Sequence, residues 1–179
     1  MTGERLLRAH GNPLATIDRD ASKSQTGVRH DDALRARVRE GCGACTVSDP
    51  LLRQLSQRYL LAVLSNYPYT PCVHRVLNRH GLSRYLSCIV VSADVGIVKP
   101  NPDLFHITLY QLGVSPDEAV YVGDDWCADV VGASRAGMRS VYTREWRVEP
   151  DPCENNLSAA SPVARISSLT ELPDVLIRG

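Results

Sequence analysis

Apolar positions are sparse and irregular over the first 46 residues and become ordered from Val47 onward. Asp49-Pro50 reads as a helix start, with Asp as the cap and Pro at the first helical position. Leu51, Leu52 and Leu55 then fall on one face of that helix. Leu60 to Leu64 (LLAVL) is an unbroken apolar run of strand length. A run without alternation fits a strand buried on both faces, as in a parallel sheet. Cys72 to His80 reads as a helix closed by Gly81. Cys88 to Ser92 (CIVVS) is a second buried strand. Pro102 to Leu112 is a helix with Gly113 just past its end. Ala119 to Val122 (AVYV) is a third strand, Ala128 to Ala136 a helix stopped by Gly137, and Arg139 to Tyr142 a fourth strand. Residues 144 to 162 read as a loop rich in Pro, Asn and Ser, and Ser168 to Leu176 as a closing helix. Strand and helix alternating at this spacing predict a doubly wound α/β sheet.

The first 46 residues form a separate, poorly defined segment ahead of the core at 47–179. Leu14 to Ile17 could make a short strand. Asp31 to Arg39 reads as a helix opened by carboxylates, which complement its N-terminus. The start, MTGERLLRAHGNP, has no apolar core of a signal peptide, and no apolar run approaches the ~18 residues of a membrane span. These features predict a cytoplasmic protein with reduced thiols.

Composition narrows the function. The chain has 179 residues, 44% hydrophobic and 22% charged, which suits one soluble domain. Twenty basic side chains balance twenty acidic ones. A neutral chain is a poor candidate for binding driven by phosphate neutralisation, so no nucleic-acid partner is expected. Lys23 and Lys99 are the only lysines, so a lysine inside a motif stands out. Cys42-Gly43-Ala44-Cys45 could be half of a zinc site or a redox dithiol. No second pair of ligands follows it, and it reads as incidental. Trp126 and Trp146 could border a pocket or pack on the surface.

In open α/β sheets ligands bind outside the carboxyl ends of the strands. After LLAVL come Ser65 and Asn66. After CIVVS comes a loop ending in Lys99-Pro100. After AVYV come Gly123, Asp124 and Asp125, with Asp129 further on. Each alone has a bland explanation: a turn, a solvated loop charge, a helix cap. Together they place a hydroxyl, a lysine and carboxylates at three successive strand ends. A hydroxyl and an ammonium can hold a phosphate. Carboxylates can hold Mg²⁺, which prefers oxygen ligands and keeps several waters.

LAVLSN, followed by VGIVKPNPDLFHITLYQLGVSPDEAVYVGDDWCADVVGASRAGMRSV, strongly resembles the haloacid dehalogenase-like (HAD) hydrolase superfamily. The resemblance runs from about Val47 to Leu176 and carries the family's second, third and fourth motifs. It implies a three-layer α/β fold around a mostly parallel sheet. It also implies that Ser65 hydrogen-bonds the transferring phosphoryl group and that Asn66 helps through its backbone. Lys99 would neutralise nucleophile and phosphate. Asp124 would bind Mg²⁺, with Asp125 or Asp129 supporting the metal or orienting Lys99. The family's first motif, Asp-x-Asp-x-Thr, has one candidate here: Asp18-Arg19-Asp20-Ala21-Ser22, after Leu14 to Ile17. Asp18 would be the nucleophile and Asp20 the acid/base, both also metal ligands. The strand before it is weak and Ala21 stands where a glycine is usual. The short interval from Asp18 to Ser65 implies a cap that is absent or reduced to the helix at Asp31 to Arg39.

The expected function is a Mg²⁺-dependent phosphatase on a small phosphorylated metabolite. The alternative is a catalytically degenerate or N-terminally truncated domain that acts as a binding module. No membrane partner is expected, and an uncapped site leaves room for a homo-oligomer to cover it.

Overall fold

The structure, a computed structural model, describes residues 45–147, 149–154 and 160–178. These belong to one unit, Cys42–Gly179. Leu14 to Ile17, Asp18, Asp20, the helix expected at Asp31 to Arg39, and Cys42 lie outside the described residues.

The elements in order are α1 (Cys45–Ser56), β1 (Ala62–Ser65), α2 (Thr70–Arg79), β2 (Cys88–Val91), a single turn α3 (Ser92–Val95) and α4 (Pro102–Leu112). Then come β3 (Val120–Gly123), a wide π-helical stretch Trp126–Val131 that runs into α5 (Gly132–Arg135), β4 (Arg139–Thr143), β5 (Ala164–Ile166) and α6 (Leu172–Arg178). Every strand pair among the described residues is parallel. β1 pairs with β2, Ala62 opposite Cys88. β4 lies between β3 and β5, with Val120 opposite Arg139 and Val141 opposite Ala164. The α/β expectation therefore holds in alternation and in strand direction.

Three packed clusters make the layers. Leu51 and Leu55 of α1 and Leu172 of α6 meet Val141 and Ile166 on one face of the β3–β4–β5 sheet. On the other side, Phe105 of α4 and Ala133 of α5 pack with Leu64 and Tyr121, so this helical layer touches both β1 and β3. Trp126, Val130, Val131 and Tyr142 form the third cluster, beneath the loop after β3. The interior is largely apolar, built on Trp126, Tyr142 and Phe105 with Leu and Val around them, which is what lets a few polar groups at its edge interact strongly.

Some expectations are corrected. Asp49 does not cap α1. The helix begins four residues earlier, and Asp49 sits in its second turn, where it binds Arg84 at 2.5 Å, the Tyr85 hydroxyl at 3.0 Å and Arg53 at 3.3 Å. β1 is half-buried rather than buried on both faces, and Leu60 is exposed. Its partner among the described residues is β2 alone. The closing helix starts at Leu172, after a tighter turn capped by Ser168 and Glu171. The thiols are not all reduced: Cys127 and Cys153 form a disulfide, while Cys72 and Cys88 are free. Cys127 is exposed.

Candidate active site

The site forms where the carboxyl ends of β1 and β3 face the loop before α4. Its first anchor is Asn66, the residue after β1. The side-chain oxygen of Asn66 accepts a bond from the Lys99 N–H at 2.8 Å, and its NH₂ donates to the Lys99 carbonyl at 3.1 Å. One amide thus holds both polar groups of the Lys99 residue. Lys99 precedes a cis proline, Pro100, and Asn101 then caps α4 by accepting from the Asp103 N–H at 2.9 Å. A second brace lies beside it. The buried Ser92 hydroxyl, just past β2, accepts from the Tyr67 N–H at 3.0 Å. The loop carrying Ser65 and Asn66 is therefore held from two directions, while the Ser65 hydroxyl has no hydrogen-bond partner among the described residues.

The second anchor is Asp129, in the π-helical stretch. Its carboxylate is buried and accepts four bonds. Oδ1 takes the Lys99 ammonium at 2.6 Å and the Tyr121 hydroxyl at 3.1 Å. Oδ2 takes the backbone N–H groups of Asp124 and Asp125, each at 3.0 Å. This geometry explains Gly123. A Cβ there would lie 2.2 Å from Asp129 Oδ2, so only glycine lets the carboxylate fold back over the strand end. It also explains the wide helical turn, which carries Asp129 back toward the loop instead of up the helix axis.

Lys99 and Asp129 are 10% and 5% exposed at their side chains, so the pair is a buried one. Such a pair is costly to desolvate and holds only when the remaining lone pairs and protons are used. Here Tyr121 supplies the missing contact. Its hydroxyl accepts from Lys99 at 2.8 Å and lies within reach of the Leu64 carbonyl at 3.4 Å. Burial, and then the charge of Asp129, push the Tyr121 phenol well above its ordinary range. Tyr121 is therefore a neutral hydroxyl at working pH.

Asp124 and Asp125 are different. Their side chains are half-exposed at the open edge. Asp125 Oδ1 caps the following turn by accepting from the Ala128 N–H at 2.7 Å, and its Oδ2 lies toward Arg147. Arg147, from the loop after β4, stands beside both, 3.9 Å from Asp124 Oδ2 and 3.8 Å from Asp125 Oδ2. Among the described residues no three His, Cys, Asp or Glu side chains converge to hold a metal by themselves. The donors present still suit Mg²⁺, which takes one or two carboxylates and completes its shell with water and phosphate oxygens.

The structure thus brings together Asn66, Lys99, Asp124, Asp125 and Asp129, with Ser65 at the same strand end. Reading the sequence missed two participants, Tyr121 and Arg147, and the side-chain role of a third. Asn66 acts through its side chain, not only its backbone. Tyr121 was read as a core strand residue. Arg147 lies in a loop with no patterned signal. Trp126 is fully buried against Tyr142, and Trp146 is exposed.

This is an α/β domain that sets a hydroxyl, a lysine and carboxylates side by side at the carboxyl edge of its strands. The chain belongs to the haloacid dehalogenase-like hydrolases, whose sequence profile matches residues 22–143. It is 40% identical over 92 residues to the phosphoserine phosphatase of Thermus thermophilus, covering 51% of this chain and 34% of that protein. It is 34% identical over 140 residues to the phosphoglycolate phosphatase of Pectobacterium atrosepticum, covering 77% of this chain and 57% of that protein. Among solved structures, a HAD phosphatase from Thermococcus onnurineus superposes with a TM-score of 0.61 at 30% identity, over 72% of this chain and 55% of that one. The chain spans between about a third and about half the length of several curated relatives. No described helix is long and apolar enough to cross a membrane.

Proposed function

We propose that this chain is a Mg²⁺-dependent phosphatase acting on a small phosphomonoester through an aspartyl-phosphate. The observation that carries the reading is the bond chain Asn66–Lys99–Asp129, which fixes an ammonium at the strand-end edge that also carries Ser65, Asp124 and Asp125. Ser65 and Lys99 would bind the phosphoryl oxygens, Lys99 as a charge held in place before substrate arrives. A carboxylate oxygen of Asp18 would attack phosphorus as the ester P–O bond breaks. Asp20 would give its proton to the leaving oxygen. Asp20 would then take a proton from water as that water attacks phosphorus, releasing inorganic phosphate and restoring Asp18. Asp124 and Asp125, with Asp18 and Asp20, would hold Mg²⁺, which when bound supplies charge that offsets the phosphoryl oxygens. Asp129 would orient Lys99, since its four acceptor sites are taken by protein donors.

Hydrolysis of an aryl phosphate with and without Mg²⁺ tests this. Wild type should turn over only with Mg²⁺, and Asp18→Asn should lose a factor of about 10³ or more. Full activity in Asp18→Asn, or in Asp124→Ala at saturating Mg²⁺, would remove the proposed roles. The second reading, a domain that binds without turnover, draws on one observation: the family match starts at residue 22, past Asp18 and Asp20. Mg²⁺ binding without hydrolysis in wild type would favour it.

A further inference from the structure

We propose that Arg147 is a resident counter-cation that weakens the site's hold on its divalent ion and keeps the acidic loop formed when that ion is absent. This rests on the reading of Asp124 and Asp125 as cation ligands. Arg147 is not held by those two carboxylates. At 3.8–3.9 Å they are its neighbours, not its hydrogen-bond acceptors. It is held instead by Asp151, a carboxylate with 5% side-chain exposure, through a 3.0 Å contact from Nη2. Asp151 in turn accepts the Trp126 N–H at 2.8 Å and the Cys153 N–H at 2.9 Å. The Arg147 Nε–H donates to the Asp124 carbonyl. Asp151 and Arg147 together therefore grip the backbone of residues 124–126 from outside.

The two consequences follow from charge and from shape. A fixed guanidinium beside two carboxylates repels a second cation entering between them. Both carboxylates are half-exposed, so a divalent ion can enter, but against a standing positive charge. The grip on the Asp124 carbonyl and the Trp126 N–H preserves the loop's shape with or without that ion. Cys127 and Cys153 join the same two loops covalently, so the clamp is seated on a fixed base.

The test is Mg²⁺ binding by isothermal calorimetry on the full chain, for wild type, Arg147→Gln, Arg147→Lys and Asp124→Asn, with melting curves in parallel. Arg147→Gln should bind Mg²⁺ about fivefold to tenfold more tightly, and Arg147→Lys within about twofold of wild type, because Lys keeps the charge. Arg147→Gln should also melt lower without metal and gain more from saturating Mg²⁺ than wild type does. A purely structural role for Arg147 would lower melting but would not tighten Mg²⁺. Equal or weaker binding in Arg147→Gln, while wild type binds and Asp124→Asn does not, overturns this inference alone. Absence of Mg²⁺ binding in wild type overturns both it and the proposed cation site.

Discussion

The two sides of the site are built from different materials. On the β1–β2 side, neutral groups do the positioning: the Asn66 amide on the Lys99 backbone and the Ser92 hydroxyl on the Tyr67 peptide. On the β3–β4 side, charges do it. Asp129 and Asp151 are buried carboxylates, each compensated by one cation and at least two backbone N–H groups. Lys99 belongs to both sides. Its backbone is held by the neutral half and its ammonium by the charged half, so it ties two groups of strands that share no ladder among the described residues. The comparison assigns a division of labour. Neutral bonds set where the lysine residue sits, at modest energy, and buried ionic bonds set where its charge points, at high stakes.

Breaking the charged side should have the largest effect. Asp129→Asn keeps the shape but leaves the Lys99 ammonium buried without its anion. Urea unfolding should show a loss of about 3–5 kcal/mol, with aryl-phosphate hydrolysis abolished. An unchanged unfolding midpoint would mean that Lys99 reaches water instead. Gly123→Ala comes next. Its Cβ would stand 2.5 Å from the Cβ of Asp129, and a carboxylate fixed by four bonds has little room to give. A cost of about 1–3 kcal/mol is expected in the same experiment. Asn66→Ala attacks the neutral side. The Lys99 peptide it frees lies near solvent, so stability should fall by only about 1 kcal/mol. Turnover should suffer more, because small displacements of a positioned group can cost about 10²-fold. A loss of stability as large as that of Asp129→Asn would erase the distinction between the two sides.

How much of this was legible depended on how local each cause was. The bounds of α4 could be read because Asn101, Pro102 and Gly113 punctuate it within the chain, and Gly113 does adopt the left-handed conformation, at a φ of 70°. β2 and β3 were legible as apolar runs. β5 was not: Ala164–Ile166 has an arginine at its centre, and it is a strand because β4 offers it an edge. The lysine and the acidic cluster could be picked out by placing chemistry at strand ends. The side-chain role of Asn66 could not, because it depends on a residue 33 positions away. Arg147 reaches 23 residues back along the chain to the Asp124 carbonyl from a polar loop, and the Cys127–Cys153 pair has no signature spacing. Local punctuation and strand-end placement survive in one dimension; contacts made across loops do not.

The smallest effect is expected at the seam between the two sides, and it sharpens the comparison most. Tyr121→Phe keeps the ring, which packs edge-on against Phe105 at 5.0 Å. It removes the hydroxyl shared by Lys99 and Asp129. At about pH 8 this should cost about 1 kcal/mol in urea unfolding. The sign of the pH dependence follows from burial. The folded phenol titrates far above its ordinary value of 10.0, while the unfolded phenol does not. The hydroxyl's contribution is therefore fully present below pH 10 and declines as pH rises above it, by about 1.4 kcal/mol for each unit. Wild type loses that contribution and the Phe variant has none to lose, so the gap between them should close at about pH 11. A gap that stays constant to that pH would place the Tyr121 phenol in contact with water, and Lys99 would then join the two sides without its help.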